Sequence, residues 1–348
     1  MIYSGQNKRR IVFVYANDPE PILLERMAAL ENSGRYEAHA VYWHRVESPL
    51  SIPWSSEISE ERFHRIDLPD PRGGIARRLF LTFRFALKLR KLLKTLNPDA
   101  VTAIYPDMLF AVKAALFGRK SLPVMYELWD VVGAQRPGRI SRFVMRKLLS
   151  GLRSVFVTAD GYGSDYLKTN QLISDETRVV YASNSPANWK FRVPKSRDSA
   201  RPLTVSFIGQ IRVAQQMQYL LGAIEKMHTA GVPIRLLIAG RGEDSEWIES
   251  LSKSKVFIDY RGAFDFRRNI EDLYSMTDVM FAMYPQNQFN YRVHWARRAH
   301  QAVLSGIPLI VARGSEMGRY VESNRLGWAV SDTSQSELEA LLTDLVNN

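Results

Sequence analysis

Phe207-Ile208-Gly209-Gln210-Ile211-Arg212 and, about thirty residues on, Leu237-Ile238-Ala239-Gly240-Arg241-Gly242 repeat one pattern: an apolar run that stops at a glycine with a basic residue close behind. Short apolar runs closed by glycine read as buried strands. Helical periodicity follows each, over 216–229 and 245–252, and strands alternating with helices at this spacing specify a doubly wound α/β layer. In such a layer a ligand sits beyond the C-terminal ends of the strands. A glycine there lets the backbone approach closely, and the next helix N-terminus favours phosphate. Gly209, Gln210, Arg212, Gly240 and Arg241 are therefore candidate ligand contacts. Neither stretch completes the dinucleotide fingerprint or the P-loop, and tight turns alone would also account for the two glycines.

The alternation continues outward. Towards the C-terminus, strands are expected at 256–260, 279–284 and 309–312, and helices at 269–276, 297–304 and 336–346. A polar, aromatic loop at 284–296 lies between a strand and a helix and holds Tyr291 and Arg292, with Arg297, Arg298 and Gln301 following. Three arginines close to a strand end can present fork-shaped donors to a diphosphate or a carboxylate; a solvated basic surface is the alternative. Towards the N-terminus, strands are expected at 11–15, 39–43, 100–104, 123–128, 154–158 and 178–181, with helices at 21–33, 76–96, 108–117, 140–152 and 164–169. Pro186, Pro194 and Pro202 interrupt the pattern. The expected division is a Rossmann-like domain at 1–184, a linker at 185–202 and a second such domain at 203–348.

The totals bound the chemistry. The 348 residues, 46% hydrophobic and 24% charged, suit two globular domains. No run approaches the roughly 20 apolar residues needed to span a bilayer, and the polar start argues against an export signal. The absence of cysteine excludes disulfides and thiolate metal sites. Residues 1–200 carry 31 Lys and Arg against 20 Asp and Glu, whereas 201–348 carry 16 of each, so the +11 net charge belongs to the first half. Within it, 76–96 holds seven cations and no acid, and 140–153 holds four and no acid. Arg77, Arg84, Lys88 and Lys91 line one helical stripe, with Leu79, Phe83, Ala86 and Leu93 expected on the other side. An anionic membrane surface fits such helices, although burial of the apolar side alone would also produce the pattern. No nucleic-acid motif accompanies the charge, so no nucleic-acid partner is expected.

Taken in order, these elements resemble the GT-B glycosyltransferases, especially the large retaining family with an E-x7-E element (group 1, family 4-like). The glycine-ended strands, the Tyr260-Arg261-Gly262-Ala263-Phe264 stretch, Asp278 before a strand, and Arg298 to Pro308 against K-x-x-E-x-x-x-x-G-x-P carry the resemblance across nearly all of 203–330. Asn97-Pro98-Asp99 and Asn184-Ser185 extend it more loosely into the first half. The resemblance implies two Rossmann-like doubly wound domains facing each other across a cleft. It also implies a UDP- or GDP-linked sugar donor in the C-terminal domain, a saccharide acceptor (lipid-linked for this basic chain), and neither cofactor nor metal. The donor contacts it implies are Gly209, Gln210, Arg212, Gly240, Arg241, Phe264, Tyr291, Arg292, Arg298 and Gln301.

The sequence departs from the family at its charged positions. Gln210 and Gln215 stand for the two cations, Gln301 and Val293 for the two glutamates, and Ile104 for a histidine of the N-terminal domain. Arg212, Arg292 and Arg298 are the cations at hand to replace the missing ones. Stereochemistry does not transfer across these changes. An inverting enzyme would need a carboxylate base, for which Asp107 is the first choice and Asp130 and Glu127 the alternatives. A helix N-cap is the competing role for Asp107. The function expected is sugar transfer in bacterial surface polysaccharide assembly, on the cytoplasmic face of the membrane, with the arginines hinting at a uronic acid donor. A non-catalytic binding subunit and a nucleotide-sugar epimerase are the alternatives.

Overall fold

A computed structural model describes residues 8–45, 58–118, 122–133, 135–186, 189–192, 201–212 and 215–347. Most of the expected linker, 187–188 and 193–200, lies outside them, as do 1–7 and the family-pattern residues Val213 and Ala214. The chain divides into two compact units, Met1–Ser183 and Asn184–Asn348.

In the first unit the elements run β1 (Arg9–Tyr15), α1 (Pro21–Asn32), β2 (Tyr36–Arg45), β3 (Phe63–Leu68), α2 (Ile75–Leu96), β4 (Ala100–Ile104), α3 (Pro106–Leu116), β5 (Val124–Leu128), α4 (Arg139–Leu149), β6 (Ser154–Val157) and β7 (Arg178–Tyr181). Residues Tyr162–Lys168 form a π-helical turn where the sequence suggests an α-helix. All neighbouring strands are parallel, in the order β3-β2-β1-β4-β5-β6-β7. The order reverses between β1 and β4, and both strands are buried along most of their length because helices cover both faces of the sheet.

The second unit repeats the plan with β8 (Leu203–Ile208), α5 (Gln215–Thr229), β9 (Ile234–Ala239), α6 (Ser245–Ser254), β10 (Ile258–Tyr260), α7 (Phe266–Ser275), β11 (Val279–Phe281), α8 (Phe289–Val293), α9 (Arg297–Ser305), β12 (Leu309–Ala312), α10 (Glu316–Ser323), β13 (Gly327–Val330) and α11 (Gln335–Asn347). The sheet order is β10-β9-β8-β11-β12-β13, with its reversal between β8 and β11. Alternate strand residues feed two cores: Val279 and Phe281 enter one, Met280 and Ala282 the other. At the opposite end of the strands from the ligand loops, Asp278 accepts from the Thr204 amide at 2.8 Å and pairs with Arg201, tying β8 to β11.

Among the described residues, β3, α8, α10, β13 and a 3-10 turn at Glu60–Arg62 escape the sequence pattern. β3 is an edge strand whose exposed Arg65 and Asp67 break the apolar run, and β13 begins at a glycine and has two half-buried residues. Trp189, in the expected linker, is packed into the second unit: its indole N–H donates to Ser305 Oγ at 2.8 Å and its ring meets Tyr274 edge-on.

Candidate functional site

The C-terminal domain concentrates its unsatisfied polar atoms around the reversal between β8 and β11, where open α/β sheets bind ligands. The loops beyond β8, β9 and β10 continue the sheet by hydrogen bonds: Gly209 N to Ala239 O at 2.8 Å, Ile211 N to Arg241 O at 3.0 Å, and Gly240 N to Gly262 O at 2.7 Å. Gly240 sits at φ +143° with the position of a Cβ only 1.7 Å from Gly209 O, so packing between the two loops alone demands glycine. Gly209 is different. At φ +134° its open side faces Arg298, whose Nη2 would lie 3.3 Å from a Cβ there.

Arg298 is the centre of this region. It belongs to the first turn of α9 and is 8% exposed. Its guanidinium carbon lies 3.7 Å from the centroid of the Phe207 ring and 5.7 Å from that of Tyr284. Among the described residues no carboxylate pairs with it, and Nη1 has no hydrogen-bond partner. A buried cation held by aromatic rings and left without an anion is expensive unless a ligand completes it. One turn of α9 away, Gln301 is buried; its Oε1 accepts from the Tyr274 hydroxyl at 3.0 Å while Nε2 is free to donate. Burial pushes the Tyr274 phenol up, against the pull of the Arg298 charge, so it stays a donor. His300 stacks on Trp295 with Nε2 unpartnered; burial, then the charges of His294 and Arg297, lower it to about 4.

The other sequence-predicted donor residues fall into two groups. Phe264 packs against the same core as Ile208 and Ala282, and Tyr291 stacks on Tyr284 with centroids 5.1 Å apart. Gln210, Arg212, Arg241 and Arg292 are exposed, the last with its guanidinium 6.0 Å from the Phe289 ring centroid.

In the N-terminal domain the equivalent reversal gathers Tyr15 from β1, Glu20 before α1, Tyr105 beyond β4, and Trp129 and Asp130 beyond β5. Tyr15 lies 5.2 Å from Trp129 and 6.0 Å from Tyr105 between ring centroids. Trp129 Nε1 is buried without a partner. Tyr105 adopts φ +76°, a strained conformation for a side chain of its size. Burial raises the Glu20 carboxyl, opposed by the Tyr15 hydroxyl and reinforced by the charge of Asp130. Glu20 has no cation partner among the described residues, and sequence reading passed over it. Its signal there was slight: an acidic residue between two prolines, Pro19 and Pro21, directly after a strand.

The three carboxylates expected as bases differ in what holds them. Asp130 Oδ1 accepts from the Tyr162 hydroxyl at 3.1 Å and lies within this cluster. Asp107 lies in the first turn of α3, after the cap position held by Tyr105, and pairs with Arg78 of α2 at 2.8 Å beside an opening of about 470 Å³. Glu127 is buried and bound to Arg26 at 2.9 Å, which makes it a structural ion pair.

The basic helices depart from the expected division of faces. Ala86 and Leu93 of α2 are buried, with Leu81, Phe85 and Leu89; Leu79 and Phe83 are exposed, as are Phe80 and Leu87. The helix has two apolar sides, so the four residues expected together on one side are divided between core and solvent. Leu79, Phe83 and Leu87 form an i, i+4 stripe in solvent beside Arg84, Lys88 and Lys91. α4 repeats this with exposed Ile140, Phe143 and Val144 among Arg142, Arg146 and Lys147. Arg78 of α2 and Ser141 and Met145 of α4 line the same opening beside Asp107. Among the described residues no helix is long and apolar enough to cross a membrane.

Residues 202–348 match the family described as Glycosyl transferases group 1. No curated protein sequence matches the chain. Among solved structures the chain is similar to sucrose-phosphate synthase from Thermosynechococcus elongatus, with TM-score 0.70 and 14% identity over 98% of this chain and 90% of that one. It is also similar to the lipopolysaccharide outer core galactosyltransferase WaaB, with TM-score 0.65 and 11% identity over 97% and 90%. The third is Anabaena HepE in complex with UDP and glucose, with TM-score 0.64 and 13% identity over 98% and 90%. At these identities the likeness to solved structures is one of fold: the chain has the GT-B fold, and the family match is confined to its C-terminal domain.

Proposed function

We propose that this protein transfers a sugar from a UDP- or GDP-linked donor to a saccharide carried on a lipid, in bacterial surface polysaccharide assembly at the cytoplasmic face of the membrane. The observation that carries the donor half is Arg298: a buried guanidinium without a carboxylate, facing a glycine at the sheet reversal of a group 1 glycosyl transferase domain. It supplies the diphosphate contact that Gln210 and Gln215 cannot. Gln301 Nε2 donates to a ribose oxygen, and the exposed Arg212 and Arg292 add charge to the phosphates. Arg298 stabilises the negative charge that develops on the departing nucleoside diphosphate.

Glu20 and Asp130 are the carboxylates best suited to deprotonate an acceptor hydroxyl. Burial and the charge of Asp130 raise the Glu20 carboxyl, which makes it a stronger base once ionised, while Asp130 is a candidate by its place in the same cluster. Asp107, held by Arg78, suits binding of the acceptor in the opening it lines.

The exposed apolar residues of α2 and α4, set among cations, support membrane association. Arg77, Arg84, Lys88 and Lys91 attract anionic headgroups, and Phe80, Phe83 and Phe143 enter the acyl boundary. The function is tested by release of UDP or GDP from a panel of nucleotide sugars, with and without vesicles of the organism's lipid extract. Turnover that needs the lipid fraction is expected. Donor binding with no turnover on any acceptor would favour a binding subunit, and conversion of the donor sugar without an acceptor would favour an epimerase.

A further inference from the structure

An opening of about 440 Å³ in the C-terminal domain lies at the sheet reversal. Gln215 and Gln216 line it from the start of α5, Gln286, Asn287 and Gln288 from the loop after β11, and Asp332 from the segment after β13. Tyr284 links its lining to Arg298: the Tyr284 ring centroid lies 5.7 Å from the guanidinium carbon, and the Tyr284 carbonyl accepts from Gln286 Nε2 at 2.9 Å.

Two carboxamides set the chemistry of this opening. Gln216 is 3% exposed; its Nε2 donates to the Asp332 carbonyl at 2.9 Å, and its Oε1 has no partner. Gln286 is held twice, by Nε2 to Tyr284 O and by its amide to Asp332 Oδ2 at 2.8 Å, and its Oε1 is also unpartnered. In each case the NH2 group faces a backbone carbonyl, which only a donor can satisfy. Rotating either amide would set oxygen against oxygen, so the free atoms are carbonyl oxygens. Among the described residues no cation lines the opening, and Asp332 adds an anionic acceptor. Buried acceptors without donors are costly, and they repel a carboxylate or phosphate.

We infer that this opening seats the transferred sugar and selects an uncharged, hydroxyl-bearing hexose over a uronate. The sugar's hydroxyls donate to Gln216 Oε1, Gln286 Oε1 and the Asp332 carboxylate, while its diphosphate lies on Arg298 next door. The volume is at the small end of ligand pockets, which span about 300–1,000 Å³. The inference rests on the donor reading of this domain, and it assigns the arginines to the diphosphate rather than to an acidic sugar.

Calorimetry on the full chain tests it, with UDP, GDP, UDP-glucose, UDP-galactose, UDP-N-acetylglucosamine and GDP-mannose as probes, and with UDP-glucuronate or GDP-mannuronate matched to the nucleotide that binds. At least one neutral sugar nucleotide should bind tenfold or more tighter than its bare nucleotide, and the uronate no tighter than the bare nucleotide. Gln286→Ala and Gln216→Ala should each remove about 2- to 10-fold of the sugar increment, one hydrogen bond's worth, and leave bare-nucleotide affinity unchanged. Gln286 is only half-buried, so its variant keeps the test alive if Gln216→Ala fails to fold. Nucleotide binding with uronate as tight as hexose, or with a sugar increment insensitive to Gln286→Ala, overturns this inference alone. Binding of neither UDP nor GDP overturns the donor reading and this inference with it.

Discussion

Replacing Arg298 by methionine should leave the protein as stable as before or more so, while removing much of its affinity for nucleotide. The side chain is 8% exposed and lies 3.7 Å from the Phe207 ring centroid, so methionine can fill the same slot against the ring. The change forfeits a cation–π contact worth about 0.5–2 kcal/mol. It also removes an unpaired buried charge, and exchanging buried ionic groups for apolar ones of similar volume is often neutral or stabilising by about 1–4 kcal/mol. The balance is a gain between zero and about 2 kcal/mol, or up to about 6 °C in Tm. Binding moves the other way. A hydrogen bond from a charged donor contributes about 1.5–3 kcal/mol, so Kd for UDP or GDP should rise roughly 10- to 150-fold. Differential scanning fluorimetry gives Tm with and without nucleotide, and calorimetry gives Kd. At 100 times its Kd a nucleotide stabilises the wild type by about 2.7 kcal/mol, and the variant should lose most of that increment. A variant that melts well below the wild type yet binds nucleotide unchanged would refute the reasoning and make Arg298 a structural residue.

Other substitutions separate chemistry from architecture. Glu20→Gln should cut turnover by about 10²- to 10⁴-fold, the usual contribution of a general base; a loss under threefold removes Glu20 from that role. Because burial raises the Glu20 carboxyl, its ionisation costs stability as pH climbs above the ordinary carboxylate range, so the variant should be at least as stable as wild type at pH 7. Gly240→Ala should lose more than about 3 kcal/mol or fail to fold, because its Cβ would meet Gly209 O at 1.7 Å and φ is +143°; Gly138→Ala, with open space around it, is the control expected within about 0.5 kcal/mol. His300, lowered to about 4 from 6.5, contributes stability that is present above pH 6.5 and lost as pH falls towards 4. His300→Phe should flatten Tm against pH in that window, by at most about 3 kcal/mol, and an unchanged slope would contradict its burial as a neutral ring.

Sequence alone fixes the local grammar of this protein. Apolar runs of strand length, glycines at their ends and helical periods between them depend on neighbours two to four residues apart, which is why both Rossmann-like domains and the glycine-ended strands from 203 to 242 could be read directly. The basic excess of 1–200 is equally a property of the string. The roles of individual residues depended on partners far along the chain. Whether Arg298 would be paired rested on what β8 and the loop after β11 bring to it; Phe207 and Gly209 are some ninety residues away. Asp107 and Glu127 look like equal candidates in the sequence, until α2 supplies Arg78 to one and α1 supplies Arg26 to the other. Glu20 stood out only when β4 and β5 brought Tyr105 and Asp130 beside it. The helical period of α2 likewise showed that apolar positions exist but not which side the sheet covers, so Leu79 and Phe83 were grouped with Ala86 and Leu93 although the first two face water and the last two are buried. Periodicity is a short-range property of the chain, whereas burial, pairing and the cost of an unmatched polar group are set by whatever the fold brings into contact across it.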